Sequence, residues 1–199
     1  LWSTTPNAGL LLFNSAKGTF TQEAHDDKKP GGIATKGAVK SFEISKDKIG
    51  IITRQGLDEL NLKTSTFSHY RPDVKSPISI GGIYIRDIIR DSKGYVWLSI
   101  YRMGICKYDP ANGSFTNYRY DAKHPQGLTT AYVGALMENT DGKLWIGTDG
   151  FGICVLDQNT TTSTSYLPDP YNAASLSYHT IRTLYKDDLG NIWIGTKAG

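Results

Sequence analysis

The 199-residue chain has only two cysteines, two methionines and four histidines. Cys106 and Cys154 stand 48 residues apart, at equivalent places in a repeat, and equivalent places in adjacent repeat units are too distant for a disulfide. They read as small buried apolar side chains and say little about redox compartment. His25, His69, His124 and His179 are scattered without metal-ligand spacing, so no metal and no other cofactor is expected. No apolar run approaches the roughly 18 residues of a membrane-spanning helix. No helical period of apolar residues is sustained, which argues against a helical solenoid. There is no Gly-x-Ser-x-Gly elbow and no phosphate loop with its lysine. The Asp-x-x-Gly turns look like half a calcium loop but lack the later acidic ligands. A net charge of +3 is too weak to argue for nucleic acid. An initiator Met and a signal peptide are also missing, and both ends fall inside a repeat, so the chain reads as a piece of a longer protein.

What is abundant is glycine, at 21 residues, and aromatic side chains, with four Trp, 12 Tyr and six Phe. The clearest stretch runs from Asp141 to Gly152. It reads as a turn (Asp141-Gly142), a short apolar strand (Leu144-Trp145-Ile146), a glycine that lets a neighbour approach (Gly147) and a second turn at Gly150 and Gly152. The stretch recurs: Trp97 lies 48 residues before Trp145, Trp193 lies 48 after it, and Trp2 lies 95 before Trp97. The missing copy falls at Lys48-Ile49-Gly50-Ile51-Ile52-Thr53, where Gly50 replaces the tryptophan.

Each repeat divides into four strands, a to d. The chain opens in b at Leu1–Thr4, then c (Gly9–Asn14), d (Gly18–Gln22) and, beyond a polar loop from His25 to Gly32, a at Val39–Ile44. Strand c returns at Gly56–Asn61, Gly104–Asp109 and Gly152–Asp157, and strand a at Ile85–Arg90, Val133–Glu138 and Ile181–Lys186. Apolar residues alternate over four to six positions between Gly, Asn and Asp. Four antiparallel strands in a repeat of about 48 residues predict an all-β chain of β-propeller blades. The expected arrangement is one fragment, residues 1–199, with about four four-stranded blades belonging to a larger propeller. Each Trp is expected to be buried between blades and to contribute about 3–5 kcal/mol there.

The series Ile-x-x-Ile, Asp-x-x-Gly, aromatic-Ile-Gly-Thr, Gly-Ile, Asp resembles the two-component regulator propeller repeat. Leu136–Asp157 and Leu184–Gly199 carry it best, and Ile88–Asp109 closely; Gly50 and Ile52, and Ser3-Thr4, depart from it. The resemblance implies a periplasmic sensor propeller of a bacterial hybrid two-component system. Such a fragment has no catalysis of its own, although a histidine kinase can follow in the full-length protein. The resemblance further implies an oligosaccharide ligand, membrane anchoring of the whole protein and signalling across the membrane. The rivals are a propeller-fold polysaccharide lyase or hydrolase, which would want an inward carboxylate pair, and a protein-interaction scaffold. Asp87, Glu43 and Glu138 fall at different aligned positions, so no such pair is evident.

Aligning the a strands places Lys40, Arg86, Gly134 and Arg182 in one column, and arginine suits carboxylate or sulfate. The d-to-a and b-to-c loops must share one rim. It gathers Arg54, Gln55, Tyr101, Arg102, His124, Tyr132, Asp149, Phe151, Tyr171, Tyr178 and His179. The candidate ligand residues are therefore Lys40, Arg86, Arg182, Arg102, Tyr132, Tyr178 and His179, with an acidic or sulfated oligosaccharide favoured. The incomplete terminal blades would expose apolar edges, so a homodimer or an open arc is expected.

Overall fold

The computed structural model describes residues 2–5, 9–23, 32–33, 37–73, 75–76 and 79–198; His25, most of the following loop and the side chain of Trp2 lie outside that description. The described chain is all β. Its strands are β1 (Trp2–Thr5), β2 (Gly9–Asn14), β3 (Thr19–Glu23), β4 (Ala38–Ser45), β5 (Lys48–Thr53), β6 (Gly56–Asn61), β7 (Thr66–Tyr70), β8 (Ile85–Arg90) and β9 (Val96–Ile100). They continue as β10 (Gly104–Asp109), β11 (Ser114–Tyr118), β12 (Val133–Glu138), β13 (Leu144–Thr148), β14 (Ile153–Leu156), β15 (Ser163–Tyr166), β16 (Ile181–Lys186) and β17 (Ile192–Thr196). Every pairing is antiparallel between consecutive strands. The result is the b-c-d, a-b-c-d, a-b-c-d, a-b-c-d, a-b order read from the sequence: sheets of three, four, four, four and two strands. These are propeller blades. They form two compact units, Leu1–Ile83 and Tyr84–Gly199.

In the first unit, the sheets β1–β3 and β4–β7 enclose Leu10, Ile33, Ala38, Ile49, Ile51 and Leu60, with Phe67 at the margin. Gly50, which stands where other repeats have Trp, pairs across the ladder with Phe42, and a Cβ on Gly50 would overlap the Phe42 ring. The phenyl ring thus occupies the volume that the missing indole leaves. Asp58, fully buried in β6, accepts from Arg71 Nη2 at 2.5 Å and bonds His69 Nδ1 at 2.9 Å, which meets the requirement that a buried carboxylate be paired.

In the second unit, two cores separate three sheets. Trp97, Ile105, Leu128, Val133, Leu136, Leu144, Ile146, Cys154 and Leu156 fill the space between β8–β11 and β12–β15. Ile153, Val155 and Ile181 fill the next, with Trp145, Leu176, Leu184 and Ile194 against them. β14 shows how this is built: Cys154 and Leu156 point into one core and Ile153 and Val155 into the other, as period-two alternation dictates. Both cysteines are buried and unbridged. Ile181 leans so close to Gly147 that a Cβ there would come within 2.7 Å of its Cγ2, which is why Ile-Gly-Thr needs its glycine.

The tryptophans correct one expectation. Trp97 is fully buried and Trp145 is half-buried, but Trp193 is 62% exposed. Its sheet has only two strands, and its cross-strand partner Tyr185 is 61% exposed on the same face. Burial of this tryptophan depends on a neighbouring sheet, and among the described residues of its own unit no further sheet follows β16–β17.

Candidate functional site

The a strands of the second unit lie side by side, with β12 against β8 on one side and β16 on the other. Each breaks its ladder at the same place. The register shifts between Ile85 and Asp87, between Val133 and Leu136, and between Ile181 and Thr183. Such bulges release a residue from pairing and re-aim it. The released residues are Arg86, Gly134 with Ala135, and Arg182. In β4 the shift falls between Ala38 and Lys40, so Val39 stands in this column. Lys40 pairs with Ile52 as Asp87 pairs with Ser99, one place along, and it belongs to the other unit.

Arg86, Gly134 and Arg182 line one open cleft of about 330 Å³, together with Asp87, Tyr101, Asp149 and Thr183. Arg86 lies over the Tyr101 ring, 4.5 Å from its centroid, an arrangement worth about 0.5–1 kcal/mol at an exposed site. Among the described residues neither Arg86 nor Arg182 takes part in an ion pair. Asp87 is tied to the backbone: Oδ1 accepts from Ile88 N and Oδ2 from Leu136 N on the next blade, both at 2.9 Å. Glu138 likewise accepts from Ser92 N at 2.7 Å and from Ser92 Oγ at 2.9 Å. These acids tie blades together. Asp149 also lines the cleft and is held by its backbone, donating N–H to Tyr132 O at 2.8 Å.

The rim above the cleft is aromatic. Tyr101 meets Tyr132 edge-on with centroids 5.7 Å apart, and Tyr132 lies nearly parallel to Phe151 at 6.5 Å. Arg102 Cζ sits 5.7 Å from the Tyr101 centroid and 5.9 Å from that of Tyr132. Arg102 holds φ at 66°, in the left-handed region, where the next repeat has Gly150 at 99°. A non-glycine residue there costs about 1–2 kcal/mol, so this arginine is kept at some expense. Tyr178 and His179 are on the same rim: their rings lie 4.2 Å apart, and Gly152 N donates to His179 O at 2.7 Å. They do not line the cleft. His124 sits apart, bonded to Asp121 at 2.7 Å beside Tyr118 and Thr160–Thr162, and Tyr171 is almost wholly exposed on its own loop. Of the seven candidates, Arg86 and Arg182 line the cleft, Arg102 and Tyr132 adjoin it through Tyr101, Tyr178 and His179 lie farther along the rim, and Lys40 belongs to the other unit. Asp149 and Gly134 were read only as a rim acid and as the exception in the column; the signal for Gly134 was a glycine flanked by arginines in register.

The two component regulator propeller family matches residues 127–150 and 175–198, covering β12–β13 and β16–β17 with the loops that lead into them. These segments carry two-component regulator propeller repeats. No curated protein matches the chain. Among solved structures it is similar to the extracellular domain of BT4673 from B. thetaiotaomicron, described as a hybrid two component system, with TM-score 0.74 and 22% identity over 98% of this chain. It is also similar to the corresponding domain of BT3049 from the same organism (TM-score 0.54, 22% identity, 98% of this chain). YCF48 bound to D1 peptide matches with TM-score 0.63 and 14% identity over 96% of this chain. The chain spans 24%, 30% and 55% of those three chains respectively, and at these identities the likeness is one of fold.

Proposed function

We propose that this chain, which carries two-component regulator propeller repeats, is part of the extracellular, periplasmic sensor region of a hybrid two-component system. It binds an oligosaccharide and catalyses nothing itself. The whole protein is anchored in the membrane and passes the binding event across it. The observation that carries the reading is the cleft at the inner strands: two arginines that form no ion pair among the described residues, two aspartates in the same lining, and an aromatic rim. Rings with polar edges suit sugar faces, and oriented charged groups suit their substituents. The two acids on the second unit's inner strands, Asp87 and Glu138, are occupied by backbone and serine groups, which speaks for binding over hydrolysis.

Calorimetric titration of the purified protein with neutral and acidic glycan fragments tests this. At least one fragment is expected to bind, with affinity falling in Arg86→Ala and Arg182→Ala. Turnover of any fragment, or binding that both variants leave unchanged, overturns it.

A further inference from the structure

Gly134 occupies a place where the preceding and following inner strands both carry arginine. Its backbone does not ask for glycine. Its φ is not in the left-handed region, and a Cβ would lie 3.4 Å from Gly147 O and 3.8 Å from Ile181 O, which are van der Waals distances. Gly147, in the paired strand, is different: there the Ile181 side chain excludes any Cβ. The fold therefore admits a side chain at 134, and its absence leaves a notch in the cleft between two arginine-bearing strands.

Resting on the sensor reading above, we infer that the Gly134 notch is an anion seat: a carboxylate or sulfate carried on a sugar ring enters over Gly134 and is held between Arg86 and Arg182. The cleft holds two cations and two carboxylates, so a bare electrostatic field does not select anions. Direction does. Asp87 spends both oxygens on the backbone N–H groups of Ile88 and Leu136. Arg86 and Arg182 are both exposed, no ion pair among the described residues engages them, and a fork of N–H groups matches two oxygens of a carboxylate or sulfate. Asp149 can only accept, which fits a ring hydroxyl and disfavours a second anion beside the first. A volume of about 330 Å³ is at the small end of ligand sites and has room for one sugar ring. The next ring of a chain would lie on Tyr132 and Phe151, 38% and 45% exposed.

The test uses digalacturonate, its carboxyl-reduced neutral counterpart and the single sugar acid, titrated into the purified protein. Digalacturonate is expected to bind at least about tenfold tighter than the reduced compound and to weaken with added salt. Gly134→Leu, which fills the notch, abolishes that preference, whereas Gly134→Ala stays within about threefold of wild type. Urea midpoints and tryptophan fluorescence confirm that both variants fold. Equal binding of the acidic and reduced compounds, or an unchanged preference in folded Gly134→Leu, overturns the anion seat. If the reduced compound then binds and loses affinity in Arg86→Ala, the oligosaccharide reading survives without the seat. If only the single acid binds, at the notch, the seat stands and the oligosaccharide reading falls.

Discussion

Removing the Asp91 carboxylate probes how the inter-blade tryptophan is held. Asp91 is 5% exposed. Its Oδ1 accepts from Lys93 N at 3.0 Å and from Tyr95 N at 2.8 Å, and its Oδ2 accepts from Trp97 Nε1 at 2.8 Å. The indole is fully buried, so in Asp91→Ala its N–H has no water to turn to. An orphaned buried donor costs about 1–3 kcal/mol, and the weakened turn adds to it, for a total of about 2–4 kcal/mol. With a urea slope of about 1–3 kcal/mol per molar, the midpoint should fall by roughly 1 M or more. The chain contains its own control. Asp187 holds Leu189 N, Asn191 N and Trp193 Nε1 in the same geometry, but that indole is exposed. Water can replace the carboxylate there, so Asp187→Ala should shift the midpoint much less. A double-mutant cycle separates turn from clamp: in a Trp97→Phe background the donor is gone and Asp91→Ala should cost less. Equal shifts for Asp91→Ala and Asp187→Ala, or no coupling to Trp97, refute the reasoning.

Gly50→Trp should destabilise the first unit by driving an indole into the Phe42 ring, and Phe42→Ile in the same chain should restore part of the loss; urea titration of the two single and one double variant checks it. Acid sensitivity should come partly from Asp187, whose carboxyl is held below its ordinary 3.8 chiefly by the Trp193 indole and then by the Asn191 side chain. A depressed folded value means that this stabilisation is complete above pH about 4–5 and is lost as pH falls through the folded value, so Asp187→Asn should flatten that part of the stability–pH curve. Gly152 has φ at 66°, and a Cβ there would overlap the Tyr166 carbonyl, so Gly152→Ala should lower the thermal midpoint far more than Gly150→Ala, whose Cβ would meet open space. We propose that two copies associate through the exposed Tyr185–Trp193 face; light scattering should show mass rising with concentration, and a concentration-independent monomer that Trp193→Lys leaves unchanged would reject it.

Strand order and sheet membership were legible because both are local. Period-two apolar alternation and the Gly, Asn and Asp punctuation set β2, β6, β8, β10, β12 and β16 at the residues expected of them. Burial was less legible because it depends on what stands opposite. Trp97, Trp145 and Trp193 share one motif, yet only Trp97 faces a complete neighbouring sheet. The acid of Asp-x-x-Gly was read as a turn residue, which it is. Its bond to an indole six residues on needs the indole's orientation, although the recurring interval in Asp91–Trp97 and Asp187–Trp193 was a usable hint.

The position of the cleft follows from a conflict within the inner strands that the sequence does contain. A regular strand sends residues i and i+3 to opposite faces. Val133 and Leu136 are three apart, yet both enter the core between the second unit's first two sheets. Ile181 and Leu184 are also three apart and meet in the next core. Strict alternation cannot satisfy either pair. One extra residue in the ladder can, and the register shift falls between each of them. Ile85 and Ile88 bracket the same shift in β8. The core demands the bulge, and the bulge frees the residue after the first core position, which is Arg86, Gly134 or Arg182. Counting back eleven residues from Trp97, Trp145 and Trp193 reaches that place, and from Gly50 it reaches Val39. Lys40 falls in the column when Val39 is set level with Ile85, Val133 and Ile181, whereas the ladder sets Ala38 there. Placing three such free positions side by side on β8, β12 and β16 turns a packing requirement into a ligand surface, since these residues owe nothing to the ladder.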